Sequence, residues 1–275
     1  MERQHSFDLL SAYDGALTGG ADFKTFFEWF REREDLENEA RRDKDKSSDN
    51  TAALFPDPQL EAVRAAMSML MPGYANLSVR RSPLRMEIEK QGERLTVSQL
   101  SDGEKCLLAM VGDLARRLAI ANPLRDNPLH GEGIVLIDEI DLHIHPAWQR
   151  MVIPRLTETF PNCQFLVSTH SPHVITHVRP ENLFLLSVGP DGLQALSPKE
   201  SYGKTAERVL EDLMGLETTR PDEINEELKR IYDRIGDGEL AEAKTLIAGL
   251  MKQIGADPDL SKAEVLIRRK ESIGK

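Results

Sequence analysis

Three short strings carry side chains with chemistry to offer. They are Asp138-Glu139 after an unbroken apolar run, Ser101-Asp102-Gly103 at the start of an apolar-periodic helix, and His170 after a second apolar run. The run Gly133-Ile134-Val135-Leu136-Ile137 reads as a central parallel strand covered on both faces, and ligands bind at the carboxyl ends of such strands. Alternation puts Asp138 and Glu139 on opposite sides of the strand end. One can then reach a Mg²⁺ ion bound to phosphates while the other orients and deprotonates a water. From these two residues alone, a pair of solvated acids opening a loop reads equally well. Ser101, Gly103 and the free amides at the positive end of the helix dipole form an anion-binding device suited to a phosphate. The plainer reading makes Ser101 the N-cap and Glu104 its capping-box partner. The His170 imidazole can donate to a phosphate oxygen or to an attacking water as charge develops; standing alone, a strand-end histidine is more often structural.

A fourth string, Asp141-Leu142-His143-Ile144-His145, sets two histidines on one side of a strand end. With His170, His173 and His177 it offers ligands to a metal-dependent hydrolase. Against this, a barrel of that class takes ~250 residues and needs strands throughout, whereas residues 1–75 and 203–275 read as helical. A third reading is a non-enzymatic, ATPase-like interaction module.

Taken together, the strings resemble a family. Leu100-Ser101-Asp102-Gly103-Glu104 resembles the LSGGQ signature of ABC-type ATPases, Ile134 through Glu139 their Walker B strand with its glutamate, Asp141 the D-loop position and His170 the switch histidine. The strings Asp138 to Pro146 and Ser168-Thr169-His170-Ser171-Pro172 resemble the non-transporter ABC/AAA-like ATPases of the SMC, RecF and OLD groups, which include bacterial ATPases linked to virulence and phage defence. The matching core covers about residues 95–190. The resemblance implies an α/β fold, a P-loop NTPase head of ABC type, here partial, with a partly parallel sheet, a helical signature subdomain and a C-terminal helical appendage. It implies ATP as substrate with Mg²⁺ as cofactor. Leu100, Ser101, Asp102, Gly103, Glu104 and Asp141 would contact nucleotide, Asp138 would hold Mg²⁺, Glu139 would polarise the water and His170 would sense the γ-phosphate. Two heads would sandwich ATP, so a homodimer or a hetero-partner is implied, in DNA-related or defence functions. Asp102 and Glu104 depart from the second Gly and the Gln of the transporter consensus, which weakens the case for phosphate contact through residue 102.

A Walker A loop, GxxxxGK(S/T), belongs upstream of the signature, and the sequence holds no such string. Gly203-Lys204-Thr205 has Pro198 where the first glycine should stand and lies downstream of His170. Without those amides and that lysine the phosphates lose charge-assisted hydrogen bonds worth roughly 1.5–3 kcal/mol each. The expectation is a C-terminal portion of an ATPase, with its first strand and phosphate loop in a missing segment, and impaired ATP binding by this chain alone.

The elements that must position these residues follow from periodicity. Residues 21–41 read as a helix with an aromatic packed end (Phe23, Phe26, Phe27, Trp29, Phe30) and a charged solvated end, and residues 42–53 as a mobile polar loop. Leu60, Val63, Met67 and Leu70 mark a second helix. Leu77 to Arg80, then Leu84, Met86 and Ile88 alternating with Arg85, Glu87 and Glu89, read as a hairpin. A helix from about Glu104 to Ile120, a crossover helix from Trp148 to Phe160 and strands at 164–168 and 183–188 complete a βαβ unit. After Gly203 the pattern is helical only, its last helix beginning with a Ser261 and Glu264 capping box. The organisation is thus 1–56 (helix and loop), 57–202 (core) and 203–275 (appendage).

Composition narrows the classes. The 275 residues carry 35 Lys and Arg against 46 Asp and Glu, a net charge of −11. That disfavours a dominant phosphate-backbone-binding face, so DNA binding is unsupported by charge, and the pairs Arg80-Arg81 and Arg116-Arg117 read as solvated faces. At 5% aromatic residues, broad base-stacking surfaces are disfavoured too. No apolar run reaches the ~20 residues that span a bilayer and the opening Met1-Glu2-Arg3-Gln4-His5 is no signal peptide, so no membrane role and a cytoplasmic location are expected. Cys106 and Cys163 read as buried thiols of a reducing compartment.

Overall fold

The computed structural model describes residues 9–16, 23–46, 55–190 and 192–273. The chain divides into two compact units, residues 1–204 and 205–275, each with its own core.

In the first unit, helix α1 (Phe23–Lys46) buries Phe26, Trp29 and Phe30 in the same core as the segments from Leu60 onward. It runs through the start of the expected polar loop, because Arg41, Arg42 and Lys44 are good helix formers that tolerate solvent; residues 47–53 of that loop lie outside the described residues. Nor is its charged half simply solvated. Glu34 and Glu37 are buried. Glu34 accepts from the Val79 amide (3.1 Å) and pairs with Arg81, and Glu37 accepts both Arg64 guanidinium nitrogens at 3.0 Å and the Asp57 amide at 3.0 Å.

Helix α2 (Pro58–Leu70) is started by Asp57, whose carboxylate accepts from the Gln59 and Leu60 amides. Its apolar stripe packs against α3 (Asp102–Ala121). Gly112 lies in the middle of α3, where glycine costs about 0.5–1 kcal/mol relative to alanine. A Cβ there would sit 2.7 Å from the Phe26 ring, so the glycine is what lets the aromatic face of α1 seat on α3. On the same helix, buried Asp113 holds Arg116 (2.6 Å) and Arg117 (2.7 Å). Arg116 is thus buried and Arg117 half-buried, against the expectation of a solvated face, while Arg80 and Arg81 are exposed as expected.

The hairpin is a three-stranded antiparallel sheet: β1 (Tyr74–Arg81), β2 (Leu84–Lys90) and β3 (Glu93–Thr96). The third strand follows the two-residue turn Gln91-Gly92, both at positive φ, a hairpin signal legible in the sequence. Glu87, expected on the solvent side, is buried and accepts from Arg80 (3.0 Å) and Arg85 (2.8 Å).

Strands β4 (Gly133–Ile137) and β5 (Cys163–Val167) are parallel and in register, Ile137 opposite Val167, with helix α4 (Pro146–Thr159) crossing between them. The expectation of cover on both faces fails. Ile137, Phe165 and Val167 pack on the core, but among the described residues nothing covers the opposite face, where Ile134 is 73% and Leu136 70% exposed. The short helix α5 (Pro172–Ile175) follows β5, and β6 (Leu185–Gly189) with β7 (Gly192–Leu196) forms a separate antiparallel hairpin. Cys106 is exposed and Cys163 half-buried, so the expectation of two buried thiols does not hold.

The second unit contains α6 (Ala206–Asp212), α7 (Asp222–Asp237), α8 (Leu240–Ile254) and α9 (Pro258–Ile273). Helices α7 to α9 close around Leu228, Ile231, Ile235, Ile247, Leu250, Leu260 and Ile267. Helix α9 begins three residues before Ser261, since the Asp257 carboxylate accepts from the Asp259 amide at 2.8 Å and Pro258 suits a first-turn position. Among the described residues no helix is long and apolar enough to cross a membrane.

Gly112→Ala is expected to lower stability by about 1–3 kcal/mol through overpacking against Phe26, read as a lower urea midpoint at unchanged slope. A midpoint at or above that of the wild type would show that the α1–α3 contact does not depend on the glycine.

Candidate functional site

Beyond their last residues, β4 and β5 stay zipped together. The Ser168 amide donates to the Ile137 carbonyl (2.9 Å) and the Ile140 amide to the Ser168 carbonyl (3.1 Å). Two hydroxyls then engage two carboxylates across the strand ends: Ser168 Oγ donates to Asp138, and Thr169 Oγ1 to Asp141. The His170 amide also donates to Asp141, at 3.3 Å. Glu139 leaves extended geometry with φ 49°, its amide donating 2.8 Å to Ser168 Oγ. This left-handed residue, uncommon for a side chain other than Gly or Asn, ends the simple alternation expected of Asp138 and Glu139.

The Asp141 to His145 loop folds into consecutive turns, with Leu142 donating to Glu139 (2.9 Å) and Ile144 to Asp141 (3.2 Å). Gln149 of α4 donates to the Ile144 and Asp141 carbonyls (2.9 and 3.2 Å) and accepts from Ser171 Oγ (2.8 Å), tying this loop to the one after β5. His145 Nδ1 accepts from the Ala147 amide at 3.2 Å and thus caps α4. The structure therefore brings Asp138, Glu139, Asp141 and His170 to one strand edge. Among the described residues the Glu139 carboxylate and the His170 ring make no hydrogen bond or ion pair, and both residues are exposed.

At the signature string the capping box is present in full. Ser101 Oγ accepts from the Glu104 amide (3.4 Å) and the Ser101 amide donates to Glu104 Oε2 (2.7 Å). Leu100 is buried in the core, and the Asp102 side chain is exposed beside Lys105 (3.3 Å). Gly103 fits closely against the acidic loop: a Cβ would lie 2.2 Å from the His143 carbonyl oxygen. The close approach its missing side chain permits is thus to His143, itself at φ 61°, and this is where the signature string and the acidic loop meet.

Glu104 also accepts from Lys90 Nζ (2.6 Å) and from the Tyr74 hydroxyl. Burial pushes its carboxyl up, but the hydrogen bonds from Lys90, Tyr74 and Ser101 outweigh burial and hold it at about 2. Burial, with the hydrogen bond to Glu104, pushes the Tyr74 phenol up to about 12. Ser168 and Thr169, to which the string around His170 assigns no role, and Gln149, Tyr74 and Lys90, outside every motif, are the further residues of the site. The first two stand directly after a strand whose parallel register with β4 could have been anticipated. Tyr74 and Lys90 lie 30 and 14 residues from Glu104 and carry no local signal.

No group of three His, Cys, Asp or Glu side chains among the described residues is arranged to hold a metal ion, so the histidines expected for a hydrolase do not converge. Asp138 does fit Mg²⁺. It is an exposed carboxylate at a strand end, oriented through one oxygen by Ser168, and Mg²⁺ in nucleotide sites takes one or two carboxylates besides phosphates and waters.

Because the Glu104 carboxyl lies at about 2 when folded against an ordinary 4.5, its stabilising contribution is complete above pH 4.5 and is lost as pH falls toward 2. Over that window the wild type is expected to lose more stability than Glu104→Gln, as followed by chemical unfolding at each pH. Parallel losses would show that Glu104 makes no special contribution.

A family model described as "AAA domain, putative AbiEii toxin, Type IV TA system" matches residues 7–176. The chain is 36% identical over 301 aligned residues to the Escherichia coli "Retron Ec83 probable ATPase", covering 92% of this chain and 55% of that protein. It is 34% identical over 236 to the Vibrio cholerae "Retron Vc95 probable ATPase", covering 74% and 46%. The chain thus spans about half the length of these curated relatives. A solved structure from work on ATP-driven dimerisation and DNA-stimulated activation of SMC ATPases aligns at TM-score 0.42 and 18% identity, over 60% of this chain and 94% of that one. With more than half of its length matched, and with the acid-bearing parallel strand pair inside the matched region, this chain belongs to the AAA-domain family of that description.

Proposed function

We propose that the chain is the signature-bearing and water-activating portion of an ABC-type ATPase head of the SMC, RecF and OLD group, hydrolysing ATP as a dimer or with a partner in a defence function. The observation that supports this most is the gathering of Asp138, Glu139, Asp141 and His170 at the carboxyl ends of β4 and β5, with the Glu139 carboxylate and His170 ring unengaged.

Glu139 is the general base that takes a proton from the attacking water, and its left-handed backbone turns it away from the strand. His170, anchored through its amide to Asp141, donates to a γ-phosphate oxygen as charge develops. Asp138 would hold Mg²⁺, which when bound neutralises charge on the β- and γ-phosphates. The first turn of α3 offers the Ser101 hydroxyl and the amides of Asp102 and Gly103 to a phosphate of a facing head. The Ser101 amide is already taken by Glu104.

The phosphate-binding loop is the part this sequence does not supply. Parallel strands in α/β proteins are buried on both faces. The bare face of β4 and β5, with Ile134, Leu136 and Leu166 exposed, therefore suits an apolar strand-loop-helix segment bearing that loop, contributed from elsewhere in the assembly. DNA is not favoured as a ligand of this portion, given the charge of −11 and the pairing of Arg81, Arg116 and Arg117 with carboxylates.

By calorimetric titration, the purified chain is expected to bind Mg-ATP more weakly than micromolar. A micromolar Kd with steady turnover by the chain alone would contradict the need for a supplied loop. In the protein isolated from its host with its native partners, Glu139→Gln is expected to cut ATP turnover by roughly 10²–10⁴-fold while nucleotide stays bound; undiminished turnover removes Glu139 as the base.

A further inference from the structure

The start of α3 touches the acidic loop in two ways. Gly103 lies directly against the His143 carbonyl. Separately, Glu104 is linked through the Tyr74 hydroxyl to a ring that meets Trp148 edge-on, at 5.8 Å between centroids and 90° between planes. Trp148 stands in the first turn of α4, directly after the Asp141 to His145 loop. Lys90 completes the arrangement, donating to Glu104 and lying 5.7 Å over the Tyr74 ring. Tyr74 opens β1 and Lys90 closes β2, paired opposite each other in the sheet register, so one end of the hairpin holds both.

We propose that Tyr74 and Lys90, acting through Glu104 and Trp148, are positioning residues that clamp the start of α3 to the loop carrying Asp138, Glu139 and Asp141. The purpose given to this clamp rests on the ATPase reading above; its existence does not. Geometry gives it one task, to keep the two strings in register. Charge gives it another. A carboxylate in the first turn of a helix strengthens the helix but competes with any anion drawn there. Lys90 neutralises Glu104, so the helix start can hold its own cap and still present a surface that does not repel phosphate.

The test is hydrogen exchange by mass spectrometry on the full chain without nucleotide, comparing wild type, Lys90→Met, Lys90→Arg and Tyr74→Phe. Loss of a charge-assisted hydrogen bond is expected to speed exchange about tenfold or more in Lys90→Met, at residues 101–105 and also at 139–146, with a modest fall in the unfolding midpoint and unchanged exchange in α7 to α9. Lys90→Arg should restore both segments. Should Lys90→Met unfold the protein, Tyr74→Phe gives the same reading, since it keeps the ring on Trp148 and removes only the hydroxyl. Exchange that rises at 101–105 alone, or in neither segment, overturns the clamp. Because no nucleotide is present, a positive result here together with undiminished turnover in Glu139→Gln would retain the clamp and discard the base.

Discussion

Two parallel strands ending side by side must each send the chain away from the sheet, and here the two departing loops are stitched together by hydroxyl-to-carboxylate hydrogen bonds. Ser168 holds Asp138 and Thr169 holds Asp141, and the pairing is possible only because Ile137 and Val167 are in register. Slipping β5 by one residue would turn its side chains to the opposite faces and break both ties. Everything nearby depends on this stitch: the left-handed turn at Glu139, the anchoring of the His170 amide, and the loop through His143 on which Gly103 rests.

The stitch also explains why the acids are arranged as they are. Asp138 and Asp141 are restrained by hydroxyls and an amide, and among the described residues neither pairs with a cation, which leaves both open to an incoming ion or water. The buried acids are held differently. Glu34, Glu37 and Asp113 are each matched to arginine; the first two pairs tie α1 to β1 and α2, and the third lies within α3. Acidity that looked uniform along the sequence is thus divided between structural pairs in the core and unmatched carboxylates at the strand edge.

Much of this was legible beforehand. The period of Leu60, Val63, Met67 and Leu70 fixed α2, the β-branched run at 133–137 marked β4, and the strings around Asp138 and His170 marked the edge where chemistry would gather. What escaped was long-range. Nothing local tells that Glu34 and Glu37 turn inward, because their partners come from other elements, and Glu87 draws on Arg80 of β1 as well as on Arg85 of its own strand. The same holds for Tyr74 and Lys90 at Glu104. The run 133–137 also overpredicted its own burial: a continuous apolar strand announces that both faces want cover, and only one face finds it within the described residues. At Ser101 and Gly103, the plain reading of a capped helix describes what the hydrogen bonds do, while the glycine serves the neighbouring loop.

The central claim, that the edge formed by residues 138–141 and 168–170 is where a metal-bound triphosphate is received, is tested most directly by titrating the ¹⁵N-labelled chain with Mn²⁺ and ATP and following paramagnetic broadening of its amide resonances, a readout that tolerates weak binding. The account predicts that Asp138 to Asp141 and Ser168 to His170 broaden first, and that Asp138→Asn abolishes the effect there. Broadening that begins on the acidic helices of the second unit, or that survives Asp138→Asn unchanged, would contradict it.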